Sequence, residues 1–230
     1  MPALGEMPLL TQTACGQVRG SDHEMSKLRR TMSAETRLKL IEVARRSFGT
    51  AGYAEASMDD ITRAAGLTRG ALYHHFGGKR GLFEAVCRQI DSEMAERLRK
   101  VAQNLPTGWE SFIDECIAYV EMALVPEIQR IIFREGSVVL GNALLWQSAG
   151  GCMTQLSRRL DELKADGILI NIDTEVAAHL INGAGSQVAH LIAHAKDPRA
   201  KAKTALATFR AFLEGLREPD TAVQRFNSPR

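Results

Sequence analysis

Four polar residues stand close together in a short stretch with a helical pattern: Thr68, Arg69, Tyr73 and His74. An arginine can donate two parallel hydrogen bonds to guanine, while threonine, tyrosine and histidine commonly bond phosphates or contact a thymine methyl group. On one exposed helix, these residue types favour contact with double-stranded DNA. Their spacing also fits any pair of helices joined by a glycine turn, so the interpretation rests on the surrounding elements.

Two short predicted helices would position these side chains. Ser57 is a predicted N-cap followed three residues later by Asp60, which resembles a capping box with Asp in place of Glu or Gln. Gly66 interrupts the apolar pattern, and Thr68 can cap the next short helix. Two helices and a glycine turn over residues 57–76 predict a helix-turn-helix. A preceding helix is predicted to begin at Ser33, which can cap it.

The composition describes an ordinary globular protein. Its 230 residues are 45% hydrophobic and 24% charged, which excludes disorder across the whole chain. The cysteines form no CxxC pair and have no zinc-ligand spacing; they are Cys15, Cys87, Cys116 and Cys152. We expect a reducing, cytoplasmic compartment, no secretory signal, no cofactor and no metal.

The positive charge is concentrated in one part of the chain. Residues 25–104 carry 15 Lys and Arg against 9 Asp and Glu, whereas the whole chain has a net charge of only +2. A local positive excess favours a polyanionic partner, with nucleic acid ahead of an anionic membrane surface.

Residues 57–83 closely resemble the DNA-binding domain of TetR family transcriptional regulators. The positions that carry the resemblance are Gly66, Leu67, Thr68, Gly70, Ala71, Leu72, Tyr73, His75, Phe76 and Lys79. An upstream helix ending near Phe48, Gly52 and Tyr53 also fits. The resemblance covers roughly residues 34–94, and beyond them only a general all-helical character agrees.

The resemblance implies an all-α fold and a set of DNA contacts. Three residues at the start of the recognition helix would face base edges, and three further along would contact the phosphate backbone. In that order they are Thr68, Arg69 and Gly70, then Tyr73, His74 and Lys79, with the cap Ser57 completing the set. Three positions depart from the family pattern: Thr62 replaces the usual Ala, while Gly78 and Arg80 replace a polar cap and an acidic residue. We expect a more positive helix start and a shift toward non-specific phosphate attraction.

The chain is predicted to contain two domains with flexible ends. Residues 1–32 form a mobile leader with a basic end, which includes Lys27, Arg29 and Arg30 and could reach a minor groove. Residues 34–94 form the N-terminal DNA-binding domain, and residues 95–218 form a larger C-terminal helical domain for effector binding and dimerisation. Residues 219–230 are a flexible tail. Helices are predicted around residues 81–100, 110–124, 126–149, 153–166, 174–195 and 198–217.

The predicted helix over residues 174–195 has no charged residue from Val176 to Ala195. Its histidines, asparagine and glycines make it too polar for a membrane span, so self-association is the simplest explanation. The expected interface residues are Gly183, Gly185, Gln187, His190, His194 and Phe209. The alternative is a central helix buried within its own domain. His190 and His194 share a face, but we expect them to be hydrogen-bonded histidines of a bundle and not metal ligands.

An effector pocket is a further expectation from the resemblance. Candidate lining residues are Trp109, Phe112, Tyr119, Phe133, Arg134, Asn142, Trp146 and Gln187. Side chains of these types more often form ordinary core, and their mixed polarity would suit a small, mostly apolar organic effector.

Two classes of function remain in view. The first is a homodimeric, ligand-responsive regulator of a palindromic operator, most simply a repressor, with activation as the alternative within the class. The second is a helical enzyme or carrier with a vestigial helix-turn-helix. No Gly-rich phosphate loop, GxSxG or HExxH motif supports the enzyme.

Overall fold

A computed structural model describes residues 18–103, 108–141 and 152–219 of the protein, and the side chains of residues 31–103, 108–141 and 153–219. Its helices are α1 (Val18–Ala51), α2 (Met58–Ala65), α3 (Arg69–Phe76), α4 (Lys79–Gln103), α5 (Trp109–Glu121), α6 (Pro126–Ile128, Gln129–Gly136 and Ser137–Leu140 in succession), α7 (Cys152–Ala165), α8 (Thr174–Ala193) and α9 (Pro198–Glu214). The predicted all-α class is confirmed. In these ranges the only β pairing is a bridge between Leu169 and Arg217.

Helix α1 begins earlier than the sequence pattern predicts. It starts at Val18 and runs through Ser33, so Ser33 is an interior residue and the predicted cap there is wrong. No proline interrupts residues 18–51, and good helix formers such as Glu24, Met25 and Leu28 extend the helix upstream. Residues 1–17 of the predicted leader, and the side chains of its basic end, lie outside the described residues. Internal contacts divide the chain into two units after Lys39.

From Leu40 onward the buried apolar side chains form one continuous cluster that ends at Leu213. Leu40, Ala44 and Phe48 contribute one face of α1, and the Phe48 ring meets the Phe83 ring of α4 edge to face at 5.1 Å. The continuous core does not mark the predicted division between residues 94 and 95, so those domain boundaries stay a prediction.

The later helices follow the predicted pattern where the structure describes them. Pro126 and Pro198 occupy the first turns of α6 and α9, where a proline has no hydrogen bond to lose. The middle of α6, Gln129–Gly136, is a wider π-helix. The helix predicted to reach residue 149 instead ends at Leu140, because Gly141 adopts a positive φ of 87° that breaks the helix. Residues 142–149 and the predicted turn near Pro106 lie outside the described residues.

Helix α8 packs against α5, α6, α7 and α9. Ala178, Ile181 and Ala189 of its inner face are fully or almost fully buried, whereas Leu180 and Leu191 of its outer face are more than half exposed. The helix therefore supplies core on one side and leaves an apolar surface on the other. None of the described helices has the length and apolar character needed to cross a bilayer.

Candidate nucleic-acid interface and cavity

Helices α2 and α3 are capped by side chains from their own sequence. Ser57 Oγ accepts from the Asp60 N–H at 3.3 Å, and Thr68 Oγ1 accepts from the Ala71 N–H at 3.2 Å. The predicted capping box is half formed, because the Asp60 carboxylate pairs with Arg63 at 2.7 Å and is not bonded to the cap backbone. These caps set where each helix begins.

Glycine ends both helices. Gly66 and Gly77 adopt φ values of 64° and 68°, the left-handed region that other residues enter only at a cost. Ile61, Ala65 and Leu72 pack in the turn between the helices and are almost fully buried. Because Gly66 precedes α3 and Gly77 ends it, α3 is a separate helix with a defined start and end.

The buried hydroxyl of Thr62 finds its partners within α2. Thr62 Oγ1 donates to the Met58 and Asp59 carbonyl oxygens, at 3.0 and 3.1 Å as alternative acceptors. Threonine is therefore accommodated at this position where the related family usually has alanine, with no unsatisfied buried polar group.

The outer side of α3 carries polar groups that face solvent. Arg69, Gly70 and His74 are exposed, and the Tyr73 side chain is 53% exposed. Arg69 Nε lies 3.3 Å from Asp59 Oδ1, and both side chains are more than half exposed. Such an exposed ion pair contributes little energy and can exchange for a contact with DNA. The predicted base and phosphate contacts of these residues stay predictions.

Lys79 lies at the start of α4 and contacts the loop between α1 and α2. Its Nζ donates to the Ala54 carbonyl at 2.9 Å and stands 4.9 Å from the centre of the Tyr53 ring. An ammonium has three donors, so this bond leaves donors for the predicted phosphate contact.

Arg80 is directed toward α6. Its Nε and Nη2 donate to the Val139 and Leu140 carbonyl oxygens at 3.3 Å each. These carbonyls lie at the C-terminal end of α6, where a cation is favoured. The Arg80 side chain therefore connects α4 to α6, in addition to any effect that its positive charge has on DNA binding.

Gly81 allows α3 and α4 to approach closely. A Cβ atom at this position would overlap the Phe76 carbonyl oxygen, which belongs to the backbone and cannot turn aside. The joint between the recognition helix and α4 therefore requires glycine.

Polar contacts join α6 to the end of α1. Arg45 donates to both carboxylate oxygens of Glu127 at 2.8 Å and to Glu93 of α4 at 2.6 Å. The hydrogen bonds from Arg45 lower the pKa of Glu127, and its two carboxylate partners raise the pKa of Arg45. The Tyr53 N–H donates to Glu135 Oε2 at 2.9 Å. On the other side of α6, Arg134 Nε donates to the Ala193 carbonyl at the end of α8 at 2.8 Å.

A cavity of about 50 Å³ lies among the C-terminal helices and α4. Its lining residues are Leu98, Phe112, Glu115, Cys116, Tyr119, Gln155, Leu156, Arg159, Ile181, Asn182, Gly185 and Phe209. The wall is mostly apolar, and burial raises the pKa of the Cys116 thiol well above its usual range. A largely apolar cavity with a few polar groups is the usual form of a small-molecule site.

Two of the predicted pocket residues, Phe112 and Tyr119, line this cavity. Trp109 is buried beside it and donates from Nε1 to Glu214 Oε2 at 2.8 Å. Phe133 is buried behind the Tyr119 ring, with the two ring centres 6.1 Å apart. These four aromatic residues form one region, of which the cavity is a part.

The other predicted pocket residues lie elsewhere. Arg134 is exposed, and Gln187 lies with His190 and His194 at an open groove on the outside of α8. Asn142 and Trp146 lie outside the described residues.

Four polar residues of the cavity wall were not among the predicted pocket residues: Glu115, Gln155, Arg159 and Asn182. Gln155 Nε2 donates to Glu115 Oε2 at 3.2 Å, and Arg159 Nε stands 2.9 Å from Glu115 Oε1. Arg159 also contacts Glu162 at 2.8 Å and Ser111 at 3.3 Å. Burial raises the pKa of Glu115, although Arg159 opposes the shift. The sequence feature that could have indicated these residues is Glu115, a carboxylate on the apolar face of α5 one turn before Tyr119.

The residues predicted for self-association do not share one surface. Some lie on the outer side of α8, and others face the interior. Gly183, Gln187 and His194 are exposed, and His190 is partly buried. Gly185 and the almost fully buried Phe209 face the interior instead, because the Phe209 ring packs over Gly185 where a Cβ would lie 3.4 Å away. Large apolar side chains on the outer surface are Val176, Leu180, Leu191 and Phe212.

The two histidines on α8 are bonded within their helix. His190 Nδ1 lies 2.8 Å from the Ser186 carbonyl oxygen, and His194 Nδ1 lies 2.9 Å from that of His190. Their rings stack with centres 6.1 Å apart. Among the side chains that the structure describes, no group of three or more His, Cys, Asp or Glu is arranged to hold a metal ion.

Two family models match the chain on either side of α4's end. The model for bacterial regulatory proteins of the tetR family matches residues 40–86. The model for the tetracyclin repressor-like C-terminal domain matches residues 109–216. The first match contains the helix-turn-helix, and the second contains most of the cavity wall.

Individual proteins are similar over much of the chain. The crystal structure of a TetR-family transcriptional regulator from Pectobacterium atrosepticum is 42% identical, with a TM-score of 0.75, and the match covers 83% of this chain and 99% of that one. The TetC protein of transposon Tn10 from Escherichia coli is 30% identical over 190 residues, which are 78% of this chain and 91% of TetC. The HTH-type transcriptional regulator AcrR from Shigella flexneri is 31% identical over 111 residues, which are 48% of this chain and 52% of AcrR.

Proposed function

Because the chain belongs to the TetR family of transcriptional regulators, we propose that it is a cytoplasmic repressor that binds a palindromic operator as a homodimer. A small, mostly apolar effector bound in the cavity releases it from DNA. The observation that carries the proposal is the independently capped helix α3, whose outer side presents Arg69, Tyr73 and His74 to solvent.

The DNA contact follows from the chemistry of α3. Arg69 can exchange its exposed pairing with Asp59 for two bonds to a guanine, and Tyr73 and His74 can bond the phosphates beside it. Lys79 adds a cation at the start of α4. Phosphate contacts position the helix in the major groove, and Arg69 supplies sequence discrimination.

Dimerisation is supported by the outer surface of α8 and α9. Val176, Leu180 and Leu191 of α8 and Phe212 of α9 are about half exposed or more, and Gly183 has no neighbour that an added Cβ would meet. An apolar surface of this kind is favourable when a second copy covers it. A two-fold axis there would present two α3 helices to half-sites about 34–36 Å apart.

The effector signal has two routes to the DNA-binding helices. Leu98 of α4 lines the cavity, and the other end of α4 is joined to α3 at Gly81. Helix α6 contacts the end of α8 through Arg134 and the end of α1 through Glu127. An effector that prefers one arrangement of these helices would change operator affinity by a coupling free energy of typically about 1–3 kcal/mol.

A mobility-shift experiment tests the DNA-binding part of the proposal. Purified protein is mixed with fragments of its own genomic neighbourhood at two salt concentrations and with excess competitor DNA. We expect competitor-resistant binding to one fragment, and transcription in vitro from that fragment should fall when protein is added. A rise in transcription would make the protein an activator. Failure on every fragment and in a selection from random DNA would contradict DNA binding altogether.

Sedimentation equilibrium at micromolar concentration tests the dimer. We expect a dimer for the native chain and a monomer for Leu180→Glu, which places a charge on the outer surface of α8. Val138→Glu is the matched control, because Val138 is 82% exposed but lies on α6. A native monomer, or a dimer that survives Leu180→Glu, would contradict this interface.

A further inference from the structure

The cavity wall contains buried polar atoms that lack hydrogen-bond partners among the described residues. Gln155 Oε1 and Glu115 Oε1 are both inaccessible to solvent and accept no hydrogen bond. The whole residues are 9% and 7% exposed. Arg159 Nε is 2.9 Å from Glu115 Oε1, but this contact is an ion pair without hydrogen-bond alignment. An unsatisfied buried polar atom is costly, so a ligand that satisfies it gains binding energy.

Gln155 Oε1 is a hydrogen-bond acceptor without a partner, and Glu115 Oε1 is an acceptor whose contact with Arg159 is an ion pair alone. The N–H side of the Gln155 amide already has a hydrogen-bond partner, since Nε2 donates to Glu115 Oε2. A flip of the amide would lose that bond and place an oxygen against the carboxylate, so the orientation is fixed by its partner. The complementary ligand group is therefore a donor.

The charges in the wall select against an ionised ligand. Glu115 and Arg159 neutralise each other in the cavity, and Glu162 further balances Arg159 from its more exposed position. An anion would face the oxygens of Gln155 and Glu115. A cation that approached Glu115 would compete with the Arg159 guanidinium, which is already at ion-pair distance.

The apolar part of the ligand must be small. A water needs roughly 10–15 Å³ of cavity volume measured in this way, so the cavity as it stands holds a few waters. Phe112, Leu156 and Phe209 supply apolar surface to a body of about single-ring size.

We propose that the effector is an uncharged molecule with a small apolar body and a hydroxyl donor, an alcohol or a phenol, whose O–H bonds Gln155 Oε1 beside Glu115 once the atoms that cover this oxygen move aside. This inference rests on the proposed effector role of the cavity. Direct ligand binding in the absence of DNA tests it, so that a failure of the head-group assignment is distinguished from a failure of DNA binding.

Calorimetric titration of the full chain with four matched probes is the experiment. The probes are para-ethylphenol, para-ethyltoluene, para-ethylbenzoate and para-ethylbenzylammonium. Phenol and toluene differ only in the donor, while the other two carry a negative or a positive head. We expect the phenol to bind about tenfold more tightly than the toluene, and the two ions to bind more weakly than the phenol.

Two variants locate the bond. Gln155→Leu removes the acceptor with little change of volume and should abolish the preference of the phenol over the toluene. Gln89→Leu is the matched control, because Gln89 Oε1 is also buried and unpartnered but does not line the cavity. It should keep the tenfold preference. Thermal unfolding and mobility shift of each variant show whether it is folded.

Each result decides the assignment. If Gln155→Leu does not fold, Gln155→Met, which keeps the length of the side chain and also lacks the amide oxygen, should abolish the preference of the phenol over the toluene. Equal binding of phenol and toluene, tighter binding of either ion, or binding of none of the four probes would overturn the proposal. A phenol preference that survives Gln155→Leu would overturn it as well.

Discussion

Helices α2 and α3, which carry the proposed DNA contacts, and the cavity are built in opposite ways. The caps of α2 and α3 are hydrogen bonds between residues three positions apart in the sequence, and the polar side chains on the outer side of α3 are exposed. The cavity takes its wall from α4, α5, α7, α8 and α9, and its polar group joins Glu115 to Gln155 across 40 residues of chain. Arg69, Tyr73 and His74 are proposed to contact DNA and lie outside the core, whereas Thr68 both caps α3 and is a proposed contact. In the cavity, the residues proposed to face the effector also join helices to one another.

The largest effect should follow from removing one partner of the buried pair. Glu115→Ala leaves Arg159, whose side chain is 11% exposed, without its buried carboxylate. We expect the free energy of unfolding to fall by about 3–5 kcal/mol, measured by urea denaturation. Glu110→Ala on the same helix is the control, because the Glu110 side chain in its pair with Arg210 is 70% exposed. It should change stability by less than about 0.5 kcal/mol, and similar losses in both variants would remove the contrast between the regions.

A second prediction concerns Gly81, where α3 and α4 approach each other closely. Gly81→Ala should lower the free energy of unfolding by about 3 kcal/mol, because the new Cβ overlaps the Phe76 carbonyl. Gly77→Ala has a positive φ but open space around it, and should lose only about 1–2 kcal/mol. Chemical denaturation of both variants measures the difference. Equal losses would mean that backbone conformation, and not the close approach, decides the cost.

The third prediction separates recognition from folding in α3. Arg69→Ala should weaken operator binding by about 1–3 kcal/mol and relax the preference at one base position. Its stability should change by less than about 0.5 kcal/mol, since the pair with Asp59 is exposed. Titration of operators with single base changes measures the effect, with Arg88→Ala as a control that removes an exposed pair on α4. Uniform weakening on all sequences would make Arg69 a backbone contact.

The smallest effect is expected at Lys79. Lys79→Ala should reduce the slope of the logarithm of affinity against the logarithm of salt concentration by about 1, as loss of one phosphate contact requires. Lys203→Ala, an exposed lysine on α9, should leave the slope unchanged. A Lys79 variant with the native slope but a lower unfolding temperature would assign this lysine to its bond with Ala54 alone.

The same contrast explains what the sequence could predict. The caps at Ser57 and Thr68 and the turn at Gly66 depend on residues within four positions, so their pattern can be recognised from the sequence alone. The predicted start of α1 at Ser33 was wrong because Ser33 can cap a helix, but no residue beside it ends the helix that precedes it. A capping residue permits a helix start but does not impose one.

The cavity could not be predicted from the sequence in this way. Phe112 and Tyr119 were recognised by residue type, but Glu115, Gln155 and Arg159 acquire their role only when α5 and α7 pack together. Gly185 was assigned to an outer surface because small residues permit close helix approach, and the partner that uses this space is Phe209 of the same chain. Periodicity indicates which positions are apolar, but it does not identify the helix that will cover them.

The glycine joint at Gly81 gives α4 the properties of a lever. Its 25 residues extend over about 37 Å at 1.5 Å per residue, with α3 fixed to one end and Leu98 of the cavity wall near the other. A tilt of about 5° over that length displaces the far end by about 3 Å, which is comparable with the length of a hydrogen bond. On the proposed function, an effector that tilts α4 to this extent would move α3 out of register with base edges.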